Sequence, residues 1–366
     1  MGFKKHLSSL KSYEAGKPIE LVIRDYGIRQ KDIIKLASNE NPLGTSKKVI
    51  KAIKKEAKNS YRYPDDSMFE LKKSLAKKYK VDSKNIIIGQ GSDQIIELLV
   101  QATCGSEDKI LTSSLTFAMY EIYASHNQAK VLKTKDGVHN ADQFIEIYQK
   151  SKPNLVFLCI PNNPLGDCLD RSEVYRILDS ISSDTIVALD CAYGEFAAYK
   201  DKNKEIKPKE IIKKYKNCIY LGTFSKLYGL GGLRIGYGIA DSNFIEMLSK
   251  LRAPFNITNL SLKAAIIALE DSTFLKNSLK NNFKEMKVYE DFAKSKNIDF
   301  IESYTNFITF MLPKSIDSSS LCEYLLKQGV IIRDLKSYGI NAIRITIGLR
   351  EQNKTTIKLI DKYLKR

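Results

Sequence analysis

The sequence predicts an α/β protein: a mostly parallel sheet, followed by a smaller α+β domain. Short β-rich runs alternate with helical patterns, as where "NLVFLCI" precedes "DRSEVYRILDSI". Strands that alternate with helices are typical of a parallel sheet covered on both faces. From about residue 241 long helices take over, and the β-rich runs "NFITFML", "VIIRD" and "AIRITIG" close the chain. This change of pattern predicts the second domain.

The predicted elements begin with an extended run, "IIKLASNENPLG", and lysine-rich helices. "NIIIGQGSDQIIELLVQAT" then predicts a short strand, a glycine turn and a helix. "KILTS" precedes the helical "FAMYEIYASH", and "TIVALD" and "NCIYLG" are two more β-rich runs. Among the later helices, one is predicted near Phe274 to Lys296.

A chain of 366 residues is long for a single core, so two domains are expected. We place the boundary near residue 250, at "KLRAPFNITN". The expected division is an N-terminal segment 1–44 that packs with the small domain, a large domain 45–250 and a small domain 251–366.

The net charge of +17 raises the possibility of a nucleic-acid partner. The excess is mostly lysine spread along helices such as "KKVIKAIKKEAK", where apolar residues at helical spacing form the opposite face. Basic residues are not interleaved with aromatic residues that would stack on bases. We therefore predict no nucleic-acid partner, and a nucleic-acid-binding protein stays a rival on charge alone.

The sequence predicts a cytoplasmic protein without a membrane partner or a metal. "MGFKKHLSSLKS" lacks the apolar segment of a signal peptide, and no stretch approaches the roughly 20 apolar residues of a membrane helix. The six cysteines form no CxxC pair and the three histidines are scattered, which argues against a zinc site or a hydrolytic triad. Such cysteines are typical of buried residues in a reducing compartment.

Polar motifs follow four of the predicted strands, at residues 89–93, 161–166, 190–193 and 223–226. In open α/β sheets, ligands bind outside the carboxyl ends of the strands. The four motifs are therefore expected to converge on one ligand.

Two of these motifs have an ordinary structural interpretation as well. Gly91, Ser92 and Asp93 open a helix and could hold a phosphate, or they could form a plain turn with a helix cap. Asp190 ends an apolar run, where a buried carboxylate needs a partner. That partner could be a metal or a cationic ring nitrogen, unless Asp190 is a solvent-facing turn residue.

Lys226 stands between an apolar run and a glycine-dense turn in "LGTFSKLYGLGGLRIGYG". The phosphate-binding pattern GxxxxGK[ST] is absent, and "GLGGLRIG" offers no clean GxGxxG. A lysine that forms a Schiff base explains the neighbours better. Glycines let the backbone approach a flat cofactor closely, and Thr223, Ser225 and Arg234 could then bind its phosphate.

These motifs resemble those of the fold-type I, pyridoxal-phosphate-dependent class-II aminotransferases, most closely the histidinol-phosphate aminotransferases. The resemblance covers essentially the whole chain and is carried by "SNENPLG", "RYPDDS", "GQGSDQIIE", "PNNPLG", "LDCAYGEF" and "TFSKLYGLGGLRIGYG". It implies a seven-stranded, mostly parallel sheet in a large domain that binds pyridoxal 5'-phosphate. Two departures are Leu165, where the family usually has Thr, and Phe117, where many members have Tyr.

The resemblance implies roles for the residues around the cofactor ring. Lys226 would bind the cofactor covalently and shuttle a proton, and Asp190 would keep the ring nitrogen protonated. Tyr193 and Asn163 would hydrogen-bond the ring oxygen, and Phe117 would stack on the ring.

The resemblance also implies a phosphate site and a substrate site. The phosphate would be held by Gly91, Ser92, Thr223, Ser225 and Arg234, with Asp93 close by. Tyr63 would reach the cofactor phosphate of the other subunit, which implies a homodimer with shared active sites. The anionic end of the substrate would face Arg344, with Arg333, Tyr13 and Asn163 as helpers.

The implied reaction converts imidazole-acetol phosphate and L-glutamate to L-histidinol phosphate and 2-oxoglutarate, in histidine biosynthesis. Two rivals share the scaffold, an aromatic amino-acid transaminase and an enzyme similar to threonine-phosphate decarboxylase. A transcription regulator with an aminotransferase domain would need a DNA-binding domain, and the motif set already begins by Ser38.

Overall fold

The computed structural model describes residues 2–3, 5–10 and 19–365, and its strands form two main sheets and one short pair. The strands are β1 (Ile34–Lys35), β2 (Ile86–Gly89), β3 (Lys109–Thr112), β4 (Lys130–Lys133), β5 (Leu155–Cys159), β6 (Ile186–Asp190), β7 (Cys218–Thr223), β8 (Gly236–Ile239), β9 (Asp299–Ile301), β10 (Phe307–Met311), β11 (Val330–Ile331), β12 (Arg333–Asp334) and β13 (Ala342–Thr346).

The α-helices of the described residues fill the intervals between these strands. They are α1 (Ile19–Tyr26), α2 (Lys47–Glu56), α3 (Phe69–Tyr79), α4 (Gly91–Thr103), α5 (Met119–His126), α6 (Ala141–Ser151), α7 (Arg171–Ser180), α8 (Gly194–Lys200), α9 (Pro208–Lys214), α10 (Ser242–Ser249), α11 (Asn259–Glu270), α12 (Ser272–Ser295), α13 (Ser318–Lys327) and α14 (Arg350–Leu364). None of them has the length and apolar character that a bilayer span requires.

The large sheet has seven strands in the order β2-β8-β7-β6-β5-β3-β4. Strand β8 runs antiparallel to both of its neighbours, and the other pairs are parallel. The predicted α/β class with a mostly parallel seven-stranded sheet is confirmed. Because only β8 is reversed, its first residue lies at the edge where the parallel strands end.

Both faces of the large sheet are buried, as strand β5 shows. Leu155 and Phe157 point into one hydrophobic core, and Val156 and Leu158 point into the other. Alternate residues of a strand face opposite sides, so a strand covered on both faces is apolar throughout. This explains why the run "NLVFLCI" contains no polar residue after its asparagine.

The second sheet has the order β12-β13-β10-β9, and β1 pairs separately with β11 in a parallel arrangement. Through β1, the described part of segment 1–44 joins the C-terminal elements. Helix α11 lies beyond residue 250 but packs against α2 and α3. The predicted boundaries at residues 44 and 250 stay predictions.

The start of β8 lies unusually close to the first turn of α4. A Cβ atom added at Gly236 would lie 2.4 Å from the backbone nitrogen of Ser92 and 2.5 Å from the carbonyl carbon of Gly91. Backbone atoms cannot rotate away as a flexible side chain can. Glycine at this position is therefore required by the approach of the two elements.

Replacing Gly236 by alanine should lower the free energy of unfolding by about 1–3 kcal/mol, because the added methyl group overpacks this contact. The matched control is Gly232→Ala, in the same glycine-dense stretch, where an added Cβ meets no atom within 4 Å. The control should change stability by less than about 0.5 kcal/mol. Equal denaturation midpoints for the two variants would contradict this account of Gly236.

Candidate active site

One cavity at the carboxyl edge of the large sheet collects the polar motifs. Its wall is built from the ends of β5, β6 and β7, from the segments that follow β2, β3, β5, β6 and β7, and from the segment that precedes β8. The lining residues are Gly91, Ser92, Asp93, Phe117, Cys159, Asn163, Asp190, Ala192, Tyr193, Thr223, Ser225, Lys226 and Arg234. The structure therefore brings the ends of separate strands together at one cavity, as expected.

Arg234 reaches this cavity because β8 is antiparallel and starts two residues after it. Its backbone has φ +48°, a left-handed conformation that a residue other than glycine rarely adopts. The guanidinium donates to the carbonyl oxygen of Gly231 at 2.9 Å and lies 3.4 Å from Ser225 Oγ. A Cβ atom at Gly91, where φ is +79°, would lie 2.8 Å from Arg234 Nη2.

The first turn of α4 faces the same side of the cavity. Backbone N–H groups at a helix start lack partners within the helix, so they can bind an anion. Asp93 lies in this first turn, where a charged carboxylate would repel an anion. Burial raises the pKa of its carboxyl, which favours the neutral form. Tyr123 donates a hydrogen bond to its Oδ2 at 3.0 Å, while the buried Oδ1 accepts none from the described residues.

The Lys226 amine is partly buried and lies among charged groups. Burial and, next to it, the nearby guanidinium of Arg344 together lower its pKa to about 8, against the opposing effect of Glu40. Its Nζ donates to the carbonyl oxygen of Ser38 at 3.2 Å. At pH 7 about a tenth of such an amine is neutral, compared with about 0.03% for an ordinary lysine.

Asp190 ends the central strand β6, and its side chain is buried. Its Oδ2 accepts a hydrogen bond from the Tyr120 hydroxyl at 2.7 Å, and its Oδ1 accepts one from the Ala192 amide at 3.2 Å. Burial raises the pKa of Asp190, and the Tyr120 hydrogen bond acts against this rise. A buried carboxylate of this kind favours a cationic ligand in the cavity.

Two side-chain pairs connect the cavity with the C-terminal sheet. The Tyr193 hydroxyl accepts a hydrogen bond from Asn39 Nδ2 at 2.8 Å, and the Thr346 hydroxyl donates to Asn39 Oδ1 at 3.0 Å. Arg344 donates to Asn163 Oδ1 at 2.5 Å. Residues from two distant parts of the sequence, Asn39 and the β13 residues Arg344 and Thr346, therefore orient Tyr193 and Asn163.

Arg344 and Arg333 lie directly opposite each other on the paired strands β13 and β12. Arg344 is buried, and its Nη2 donates to the carbonyl oxygen of Ala37 at 2.8 Å. Its guanidinium carbon lies 5.1 Å from the centre of the Phe307 ring. Like charges in directly opposed positions repel each other, so this arrangement favours an anion nearby.

Three of the described residues that the sequence analysis singled out do not line the cavity: Tyr63, Arg333 and Arg344. Tyr63 is 81% exposed, and its ring lies 4.8 Å from that of Phe255. Arg333 lies on β12, outside the lining. Tyr13 falls outside the described residues.

Sequence reasoning gave no role to four residues that the structure places at or next to the cavity. Ser38 and Asn39 belong to the motif "SNENPLG", and this membership could have indicated that they lie next to the cavity. Cys159 lines the wall at the end of β5. Tyr120 lies within α5, where a tyrosine gives no local sign of its long-range contact with Asp190.

A larger cavity of about 890 Å³ lies at the opposite edge of the sheet. Its lining includes apolar side chains such as Phe244, Met247 and Leu248, and Lys216 and Asp241 there form an ion pair at 2.8 Å. If volume were the only criterion, this larger cavity would be chosen as the candidate active site. The polar groups and the lysine with a lowered pKa lie at the carboxyl edge, and they identify that cavity as the candidate active site.

Comparisons with known proteins find matches over almost the whole chain. The family model of class I and II aminotransferases matches residues 31–360. A histidinol-phosphate aminotransferase of Campylobacter fetus subsp. fetus is 59% identical over 366 residues, covering 100% of each chain.

Two solved structures share the fold. A histidinol-phosphate aminotransferase from Sinorhizobium meliloti in complex with pyridoxal-5'-phosphate has a TM-score of 0.89 at 23% identity, over 99% of this chain and 98% of that one. An L-threonine-O-3-phosphate decarboxylase from Porphyromonas gingivalis has a TM-score of 0.79 at 25% identity, over 91% and 100%. The chain belongs to the class I and II aminotransferase family.

Proposed function

We propose that this chain is a transaminase that converts imidazole-acetol phosphate and L-glutamate to L-histidinol phosphate and 2-oxoglutarate, with pyridoxal 5'-phosphate as cofactor. The observation that carries the proposal is that Lys226, with its lowered pKa, and the buried carboxylate of Asp190 line the same cavity. The identity of 59% over the full length to a protein named for this activity supports the substrate.

The cavity fits the chemical groups of pyridoxal phosphate. Gly91 and Gly236 lack side chains, which lets Arg234 and the start of β8 lie close against the first turn of α4. Arg234 and the hydroxyls of Thr223 and Ser225 line the same side, which suits a phosphate. Asp190, a buried carboxylate with no cationic partner among its hydrogen bonds, suits a protonated ring nitrogen.

When bound, pyridoxal phosphate supplies an electron sink that stabilises negative charge on the substrate Cα. The neutral form of Lys226 would hold the cofactor covalently through Nζ, and the same amine would move the substrate proton between Cα and the cofactor's C4′. Asp190 would keep the ring nitrogen protonated. Tyr193 and Asn163 would hydrogen-bond the ring oxygen, and Phe117 would stack on the ring.

Arg344 and Arg333 are proposed to bind the anionic end of each substrate. A transaminase accepts two substrates in one pocket, and here one carries carboxylates while the other carries a phosphate. A guanidinium fork can pair with either group. The hydrogen bond from Arg344 to Asn163 links this anion site to the cofactor site. Tyr13 stays a proposed helper outside the described residues.

We also propose that the protein works in the cytoplasm, where its six cysteines stay reduced. All six are free thiols in the structure. The predicted absence of nucleic-acid and membrane partners stays a prediction.

A substrate panel tests the proposed reaction against its rivals. Histidinol phosphate, phenylalanine, tyrosine and threonine phosphate are each supplied with 2-oxoglutarate, and Lys226→Ala serves as the inactive control. Histidinol phosphate should give a kcat/KM more than about tenfold higher than the two aromatic amino acids, because their single carboxylate brings less negative charge to the arginine pair than a phosphate does. Equal rates with the aromatic amino acids, or release of carbon dioxide from threonine phosphate, would favour a rival.

We propose that the enzyme is a homodimer in which Tyr63 serves the neighbouring active site, as the family resemblance implies. Tyr63 is exposed in the single chain, and Phe69 and Tyr61 near it are 56% and 76% exposed. Exposed apolar side chains grouped in this way are typical of interfaces. The loop is well held, because Arg252 pairs with both oxygens of Asp66 at 2.8 Å.

Mixing two inactive variants, Lys226→Ala and Tyr63→Ala, tests the shared site. In a two-fold dimer each site takes one tyrosine from its partner, so one site of the hybrid is intact and the other carries both defects. Activity should therefore rise above the sum of the two parents once subunits exchange.

The matched control mixes Lys226→Ala with Asp190→Ala. These two residues belong to the same chain's site, so every site of that hybrid keeps a defect and no activity should return. If the Tyr63 mixture also recovers nothing while mass measurements show exchange, Tyr63 does not act across the interface.

A further inference from the structure

Tyr120 connects the elements that surround Asp190. It lies on α5, its side chain is fully buried, and its hydroxyl donates to Asp190 Oδ2 at 2.7 Å. Its ring stacks on Phe157 of β5, with centroids 4.3 Å apart and planes 4° from parallel. The Tyr120 ring also packs edge-on against the Phe117 ring, with centroids 5.6 Å apart and an angle of 84° between the planes. The hydroxyl therefore has little freedom to move away from the carboxylate.

The hydrogen bonds to Asp190 leave its charge partly uncompensated. Oδ2 accepts from Tyr120 and Oδ1 accepts from the Ala192 amide, and both donors are neutral. Burial disfavours the carboxylate form and raises the pKa of Asp190. Among the effects that lower this pKa, the hydrogen bond from Tyr120 is the largest.

We propose that Tyr120 is a positioning residue for transamination, whose hydroxyl orients the Asp190 carboxylate and favours its charged form. The proposal rests on the proposed role of Asp190 as partner of the cofactor's ring nitrogen. Tyr120 lies outside the cavity lining, so its hydroxyl would act through Asp190 and not by direct contact with the cofactor. Its contribution to cofactor binding should therefore depend on the presence of that nitrogen.

The experiment compares two ligands of the cofactor-free protein by calorimetric titration. One is pyridoxal phosphate, and the other is its analogue with a carbon atom in place of the ring nitrogen. The variants are Tyr120→Phe, Asp190→Asn and the double variant. Phenylalanine keeps the stacked ring, so the substitution removes only the hydroxyl, and thermal unfolding checks that the fold is retained.

Tyr120→Phe should weaken pyridoxal phosphate binding about tenfold, the equivalent of ~1.4 kcal/mol for a hydrogen bond to a charged group. Binding of the carbon analogue should change less than about twofold, because a neutral Asp190 can accommodate it. In the Asp190→Asn background, Tyr120→Phe should not weaken pyridoxal phosphate more than the analogue. The matched control is Tyr148→Phe, which removes a buried hydroxyl bonded to the Ser182 amide and should leave both affinities unchanged.

Two results would overturn the role of Tyr120. Equal weakening of both ligands would show that the hydroxyl supports only the local packing, and unchanged affinities would show that it contributes nothing to binding. A failure of the underlying role of Asp190 looks different. In that case Asp190→Asn itself would weaken both ligands alike, or neither.

Discussion

The candidate site depends on the close approach of β8 to the first turn of α4. Strand β8 runs against its neighbours, so the chain enters it at the edge where the parallel strands end. This reversal brings Arg234 beside Ser225 and beside Gly91, although Gly91 is far from both in the sequence. The approach is possible only because Gly236 has no side chain. The glycine-dense stretch after Lys226 is thus a packing requirement that builds one end of the cavity.

The other end of the cavity is defined by charge. Asp190 is held in an apolar strand between two hydrophobic cores, and Lys226 lies near the cations Arg344 and Arg234. Burial shifts the pKa of both groups towards their neutral forms, downward for the lysine and upward for the carboxylate. A neutral amine is a nucleophile, and a buried carboxylate binds a cation. A cofactor with an aldehyde and a basic ring nitrogen suits both groups, because the aldehyde reacts with the amine and the protonated nitrogen pairs with the carboxylate.

Much of this arrangement could be predicted, because parallel strands end at one edge and the motifs at their ends must meet there. Strand β8 could not, since "GYGI" holds two glycines and no alternation of polar and apolar residues. The bonds from Asn39 to Tyr193 and from Arg344 to Asn163 join residues more than 150 positions apart. Such pairs leave no local pattern. The same holds for Tyr120, which looks like an ordinary core residue of a helix until its contact with Asp190 is known.

The most direct test of the account is to find which side chain carries the cofactor. The purified protein is loaded with pyridoxal phosphate, reduced with borohydride and digested, and the modified peptide is identified by mass. The account predicts one modified residue, Lys226, and no modification in Lys226→Ala, despite the many exposed lysines of this basic chain. Modification at another lysine, or none at all, would contradict it.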